Sequence, residues 1–316
     1  MTDAEAIDTL EEVSDVLDRV RTEIGKRIVG QQSVVDQLLI CMLADGNALL
    51  ESNPGLGKTL LVRTIADISE LEFSRIQNTP DLMPSDVIGT EIVRETAEGQ
   101  AFVFEKGPVF ANIVLADEIN RATPKTQSAL LEAMQERQVT AAGTTYDLPD
   151  PFFLLATENP IDLEGTYPIP EAQADRFMMK ILVDYPSFDE EREIVDRYTT
   201  TLQDALPVER VIDDKRLLEI QELVRQVPIA DDLKDEAVSL VQRTRNHEDI
   251  DFGASPRASM GMVLAGKARA LLEGRTHVSK EDLTAVAPPV LRHRLILDFQ
   301  AERSGKTPDS VIADLV

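Results

Sequence analysis

The sequence predicts an α/β protein: a core built on a parallel five-stranded sheet with two β-hairpin inserts, followed by an all-helical C-terminal domain. Three observations carry that expectation. Short apolar runs alternate with helical patterns as far as residue 185, as expected for strands and helices wound into one parallel sheet. A glycine-rich turn, Gly55-Leu56-Gly57-Lys58-Thr59, falls between one such run and one such helix. After Tyr185-Pro186-Ser187 the strand-like runs cease and helical periodicity takes over. The division this implies is a core at 1–186, a linker at 187–210 and a helical lid at 211–316, and 316 residues suffice for two domains.

The elements follow in order. Ile7, Leu10, Val13, Leu17, Val20 and Ile24 recur at helical spacing and predict a helix over 4–24. Leu38 to Leu43 is apolar throughout, so Cys41, the single cysteine, reads as a buried structural thiol. Core strands are expected at 48–51, 73–77, 113–116, 152–157 and 180–183, the last three with the short apolar character of buried parallel strands. Segments 90–94 and 100–105 flank Ala97-Glu98-Gly99, and 138–141 and 144–148 flank Ala142-Gly143; both patterns predict hairpins. Beyond the core, Asp213 can cap a helix through about residue 227, and another spans 232–245. Ser255-Pro256 supplies an N-cap followed by proline at the first helical position, and Ser279 with Asp282 resembles a capping box.

The stretch from Glu51 to Thr59 carries the most chemistry. Gly55 and Gly57 let the backbone bend around an anion so that successive N–H groups point at it. The following helix adds the positive end of its dipole. Lys58 can reach β- and γ-phosphates, and the Thr59 hydroxyl is placed to ligate Mg²⁺. The full pattern G-x-x-x-x-G-K-[ST] asks for glycine at position 52, where this chain has Ser52. The reading is a nucleoside-triphosphate site.

Further candidates lie at the ends of later strands, where open α/β sheets gather ligand contacts. Asp117 and Glu118 end an apolar strand: the first carboxylate suits a Mg²⁺ shell, the second can polarise an attacking water. Neighbouring strand residues point to opposite faces, so both serve one site only if the strand stops there. Asn159, just past the next strand, can hydrogen-bond a γ-phosphate or the lytic water. Arg176 fits two readings equally, a guanidinium acting on a neighbouring subunit's phosphoryl group or a cation meeting a helix C-terminus. Arg257 sits in the first turn of a helix, where a cation is unfavourable unless an anion lies nearby.

Composition narrows the classes. There is no signal-peptide-like start and no apolar run near 18 residues, which predicts a cytoplasmic protein without a membrane span. One cysteine excludes an internal disulfide, and His247, His277 and His293 show no ligand spacing. The chain carries 57 acidic against 32 basic residues, a net charge of −25, and only 10 of the basic residues are lysine. Such a field repels phosphate backbones and argues against nucleic acid as the main partner. It fits either adaptation to a salt-rich cytoplasm or an ordinary acidic protein.

Eight segments occur in an order that resembles the AAA+ ATPases, specifically the MoxR family, over nearly the whole chain. They are Ile28-Val29-Gly30-Gln31, Pro54-Gly55-Leu56-Gly57-Lys58-Thr59, 77–86, Gly107-Pro108-Val109-Phe110, 116–122, 156–160, Glu164-Gly165-Thr166-Tyr167-Pro168 and 253–258. The resemblance implies Lys58 and Thr59 as Walker A, Asp117 and Glu118 as Walker B, and Asn159 as sensor 1. It makes Arg176 the arginine finger and Arg257 sensor 2. Val29 and Gly30 would lie beside the adenine, and Asn53, Pro54, Gly55, Leu56, Gly57 and Leu60 around the phosphates of ATP or ADP. It also implies a homo-oligomeric ring, a hexamer by expectation, with the hairpins near the pore. Mg²⁺-dependent hydrolysis would drive remodelling or maturation of a client protein, often with a von Willebrand factor type A protein. A magnesium-chelatase-like subunit, a nucleic-acid motor and a non-hydrolysing switch are the alternatives. Ala174 departs from the family's usual leucine.

Overall fold

The computed structural model describes residues 3–96, 99–141, 143–160, 165–199 and 206–316. Ala97, Glu98, Ala142, Glu164 and residues 200–205 of the expected linker lie outside the described residues, as do the side chains of Ile7 and Leu10.

Two helices, α1 (Asp3–Arg27) and α2 (Gln32–Leu43), lead into β1 (Ala48–Ser52), α3 (Lys58–Ile68), β2 (Phe73–Gln77) and α4 (Pro84–Ile88). The first hairpin, β3 (Gly89–Thr96) and β4 (Gly99–Lys106), precedes β5 (Ile113–Asp117) and α5 (Pro124–Glu136). The second hairpin is β6 (Gln138–Ala141) and β7 (Thr144–Asp147). After it come β8 (Phe153–Glu158), α6 (Glu171–Ala174) and β9 (Met179–Val183). The five core strands form one parallel sheet in the order β2-β5-β8-β1-β9.

Both faces of that sheet are covered, which is why its inner strands β5, β8 and β1 are apolar up to their polar carboxyl ends. Ala48, Leu50, Ile113, Leu115, Leu155 and Ile181 face one cluster together with α1, α2 and α3. Leu49, Val114, Ala116, Leu154 and Ala156 face the other, against Leu130, Leu131 and Met134 of α5. Register aligns the carboxyl ends: Gln77 pairs with Asp117, Ala116 with Ala156, and Glu51 with Glu158. The loops that leave β1, β5 and β8 therefore emerge side by side. The hairpins touch through Phe104 and Tyr146, whose rings stack at 4.3 Å.

The C-terminal part comprises α8 (Asp214–Gln226), α9 (Asp231–Thr244), α10 (Pro256–Leu272), α11 (Lys280–Leu291), α12 (Phe299–Arg303) and α13 (Pro308–Leu315). Asp213 and Ser255 cap their helices through side-chain hydrogen bonds, and Ser279 with Asp282 forms the capping box. Helix α10 packs on α1 and α2, so the lid joins the same apolar cluster as one sheet face.

Two features differ from the sequence expectation. The lid is not all-helical: β10 (Ile250–Phe252) and β11 (Ile296–Leu297) pair antiparallel. Strands of three and two residues are too short to show an alternation. The segment read as a linker holds α7 (Phe188–Thr199), which buries none of its residues and so leaves no apolar stripe to read. Among the described residues no helix is long and apolar enough to cross a membrane.

Candidate functional site

The turn after β1 wraps around open space. Gly55 and Gly57 have φ of +85° and +75°, a region that disfavours any side chain, and no atom lies within 4 Å of where a Cβ would stand on either. Asn53 and Pro54 complete the bend, and Gly57 precedes α3 without a side-chain cap, leaving the helix's first N–H groups to an anion. Thr59 follows in the first turn. Ser52 fits where glycine is usual because its hydroxyl donates to the Asn53 carbonyl at 2.9 Å and the residue is buried. Lys58 donates to the Ser52 carbonyl at 3.3 Å. Burial pushes its ammonium pKa down, and Asp117 and Glu118 pull it back up.

The two carboxylates reach this space by a break in strand geometry. Asp117 is the last residue of β5, and Glu118 takes a left-handed conformation (φ 55°, ψ 52°) that ends the alternation. The Thr157 hydroxyl joins them, donating to Asp117 Oδ1 at 2.8 Å and accepting from the Glu118 N–H at 2.9 Å. Arg75 on β2 pairs with Asp117 Oδ2 at 2.5 Å. Glu118 Oε2 accepts from Gln77 at 3.2 Å and from Arg121 at 3.1 Å. Asn159 lies buried just past β8, whose end is in register with Glu51. Beneath it Lys180 bridges Glu51 (2.6 Å) and Glu158 (3.8 Å), and burial raises the pKa of Glu158.

Beside the turn lies a cavity of about 350 Å³, lined by Val29, Gly55, Leu56, Gly57 and Leu60 on one side. Pro186 and two α7 residues, Ile194 and Tyr198, line the other, and Tyr198 donates to the Arg27 carbonyl at 2.5 Å. Gly30, at φ +65°, lies against α7: a Cβ there would stand 2.1 Å from Glu190 Oε1. An apolar slot next to an anion cradle fits a purine nucleotide. Among the described residues no cluster of three or more His, Cys, Asp or Glu could hold a metal alone. Mg²⁺ fits nonetheless, since it takes one or two protein ligands and completes its shell with phosphates and water; Thr59 and Asp117 are the candidates.

Arg176 and Arg257 lie elsewhere. Both line a second cavity of about 460 Å³ at the seam between core and lid, together with Arg137, Arg294, Asp45 and Asp175. No residue of the phosphate turn lines it, and the arginines described near that turn are already paired: Arg27 with Asp67, Arg75 with Asp117 and Arg121 with Glu118. The structure thus brings the two arginines to each other and not to Lys58.

Residues 47–179 match the profile of the ATPase family associated with various cellular activities, and residues 242–315 match the AAA lid domain. Chaperone MoxR1 of Mycobacterium tuberculosis is 46% identical over 305 residues, covering 94% of this chain and 80% of its own length. The chain belongs to the MoxR family of AAA+ ATPases. Protein MoxR of Methylorubrum extorquens is 31% identical, covering 95% of this chain and 93% of its own. A crystal structure from Cytophaga hutchinsonii, described as a candidate ATPase, superposes with a TM-score of 0.92 at 41% identity over 100% of this chain and 98% of that one.

This MoxR-family protein is an ATP hydrolase with the α/β AAA+ fold expected of it. Of the groups that hold its carboxylates, Arg75, Gln77 and Thr157 escape sequence reading because their contacts depend on sheet register, and Arg121 because its contact depends on the left-handed turn at Glu118. Sequence reading also missed the α7 wall of the nucleotide cavity, and His293, whose Nε2 meets the Phe177 carbonyl at 3.1 Å.

His293 yields a pH prediction. Burial, with Arg294 alongside, holds its pKa well below the usual imidazole range, so the folded state keeps it neutral. The unfolded chain takes up a proton near pH 6.5 while the folded one does not. Stability is therefore lost as pH falls through that value, by about 1.4 kcal/mol per pH unit. Urea midpoints between pH 7 and 5 should show this loss, and His293→Gln, which keeps a donor for the Phe177 carbonyl, should flatten it.

Proposed function

We propose that this ATPase works as a homo-oligomeric ring, with a hexamer as the expected size, and that each hydrolytic site is shared between two copies. One observation carries the reading: Arg176 and Arg257 line a cavity apart from the phosphate turn, while the arginines described near that turn, Arg27, Arg75 and Arg121, are each paired with a carboxylate. Charge developing on a transferring phosphoryl group calls for a guanidinium. In a head-to-tail ring the seam cavity of one copy faces the phosphate turn of the next.

Within that arrangement Lys58 and the N–H groups of the Gly55–Gly57 turn hold the phosphates of ATP. Thr59 and Asp117 would hold Mg²⁺, which would neutralise phosphate charge. Glu118 takes the proton of the attacking water, and Asn159 orients that water. For this the Glu118 carboxylate exchanges at least one of its contacts to Gln77 and Arg121 for the water. Arg176 and Arg257 of the neighbouring copy stabilise the transition state, and the lid carrying Arg257 turns as phosphate leaves. Each cycle then moves the two stacked hairpins together against a client protein. The chaperone name of the Mycobacterium tuberculosis relative supports a remodelling or maturation role. A von Willebrand factor type A protein as adaptor, and action in the cytoplasm, belong to the same reading.

ATPase rate per subunit, measured against protein concentration with Mg²⁺ present, tests the shared site. It should rise steeply and then level off as rings form. A rate per subunit that is constant down to concentrations where only monomers sediment would overturn it.

A further inference from the structure

We infer that Arg292, His293 and Arg294 form a clasp by which the lid positions Arg176, with Asp175 as its latch; the inference rests on the shared-site reading. The three residues form the short turn after α11 and reach back onto the segment between α6 and β9. Arg294 donates to the carbonyls of Asp175 (3.1 Å), Phe177 (2.6 Å) and Met178 (3.2 Å), to that of Val290, and to Asp175 Oδ1 (2.8 Å). His293 Nε2 donates to the Phe177 carbonyl at 3.1 Å, and Arg292 to the Lys180 carbonyl at 3.1 Å. The lid thus grips residues 175, 177, 178 and 180, the stretch on which Arg176 stands.

The five contacts of Arg294 use all five N–H donors of its guanidinium, and its side chain is only 3% exposed. Such complete matching fixes a fork-shaped group in one orientation. The Asp175 carboxylate also accepts from Ser255 Oγ, at 2.9 and 3.0 Å. Ser255 is the N-cap of α10 and stands two residues before Arg257. Asp175 therefore connects to one arginine through the adjacent peptide bond and to the other through the cap of its helix. A lid rotation that carries Arg257 must either carry Arg176 with it or break this latch. Among the described residues the Arg176 guanidinium has one further contact, from its Nη1 to the Leu131 carbonyl at 3.5 Å. Asp175 and Arg294 are positioning residues, which act on catalysis through Arg176 and Arg257.

The test compares Asp175→Asn, Arg176→Ala and the double variant for kcat, KM and melting temperature, together with mixtures of the single variants with Lys58→Ala. Asp175→Asn should lower kcat by roughly tenfold to 10²-fold, the scale of a small misplacement in an active site, and leave KM within about twofold. The double variant should be no slower than Arg176→Ala. Mixing Asp175→Asn with Lys58→Ala should restore activity, whereas mixing it with Arg176→Ala should not. If Asp175→Asn does not accumulate as folded protein, Arg294→Lys, which keeps the charge and loses the fork, carries the same comparison. A slow Arg176→Ala beside an unchanged Asp175→Asn, or losses that multiply in the double variant, would overturn the clasp alone. A normal rate in Arg176→Ala would overturn the finger and the clasp with it.

Discussion

Glu118→Gln is expected to bind ATP with near wild-type affinity and to hydrolyse it at least about 10²-fold more slowly, the scale of a lost general base. The substitution keeps the shape, and its amide oxygen can go on accepting from Gln77 and Arg121 as the Glu118 Oε2 does. What it removes is the ability to accept a proton from water. The neighbouring architecture is untouched, because Thr157 holds the Glu118 backbone N–H and the Asp117 carboxylate rather than the Glu118 side chain. Single-turnover hydrolysis and equilibrium binding, run side by side, separate the two effects. Turnover at the wild-type rate would remove the proton-accepting role from Glu118.

The second large effect is expected from Lys58→Ala. The ammonium is partly desolvated, and among the described residues it donates through one 3.3 Å bond, to the Ser52 carbonyl. Its burial therefore costs the fold something and stabilises it little. Against bound phosphates the same charge would form strong charge-assisted contacts, worth about 3 kcal/mol in sum and hence about 10²-fold or more in affinity. ATP binding should fall by at least that factor while the melting temperature of the ligand-free protein holds or rises. Retained affinity would mean that nucleotide binds elsewhere. A large drop in melting temperature would mean that Lys58 holds the turn itself.

Much of this was legible in the sequence because each feature is local. A phosphate turn announces itself by glycines whose backbone conformation other residues avoid, followed at once by Lys58, Thr59 and a helical pattern. The inner strands β5 and β8 were visible because both of their faces are buried, which leaves continuous apolar runs. The caps at Asp213, Ser255 and Ser279 were visible because a cap is a short-range hydrogen bond between a side chain and the next turn of backbone. Contacts set by long-range packing were not visible. Arg75 meets Asp117 across 42 positions, and Arg294 meets Asp175 across 119. Helix α7 lacked a buried stripe, and the paired strands β10 and β11 lacked length. The grouping of Arg176 with Arg257 depends on how the lid seats against the core, which no local pattern encodes.

The shared site is the central claim, and mixing two defective variants tests it most directly. Arg176→Ala keeps its phosphate turn and Lys58→Ala keeps its arginines, so neither forms a complete site with its own kind. In an equal random mixture about a quarter of head-to-tail interfaces pair an intact turn with an intact arginine. ATPase activity, low in each variant alone, should return on mixing to about that fraction of the wild-type rate. Activity in the mixture no greater than the average of the two variants would contradict the shared site and place each site within one copy of the chain.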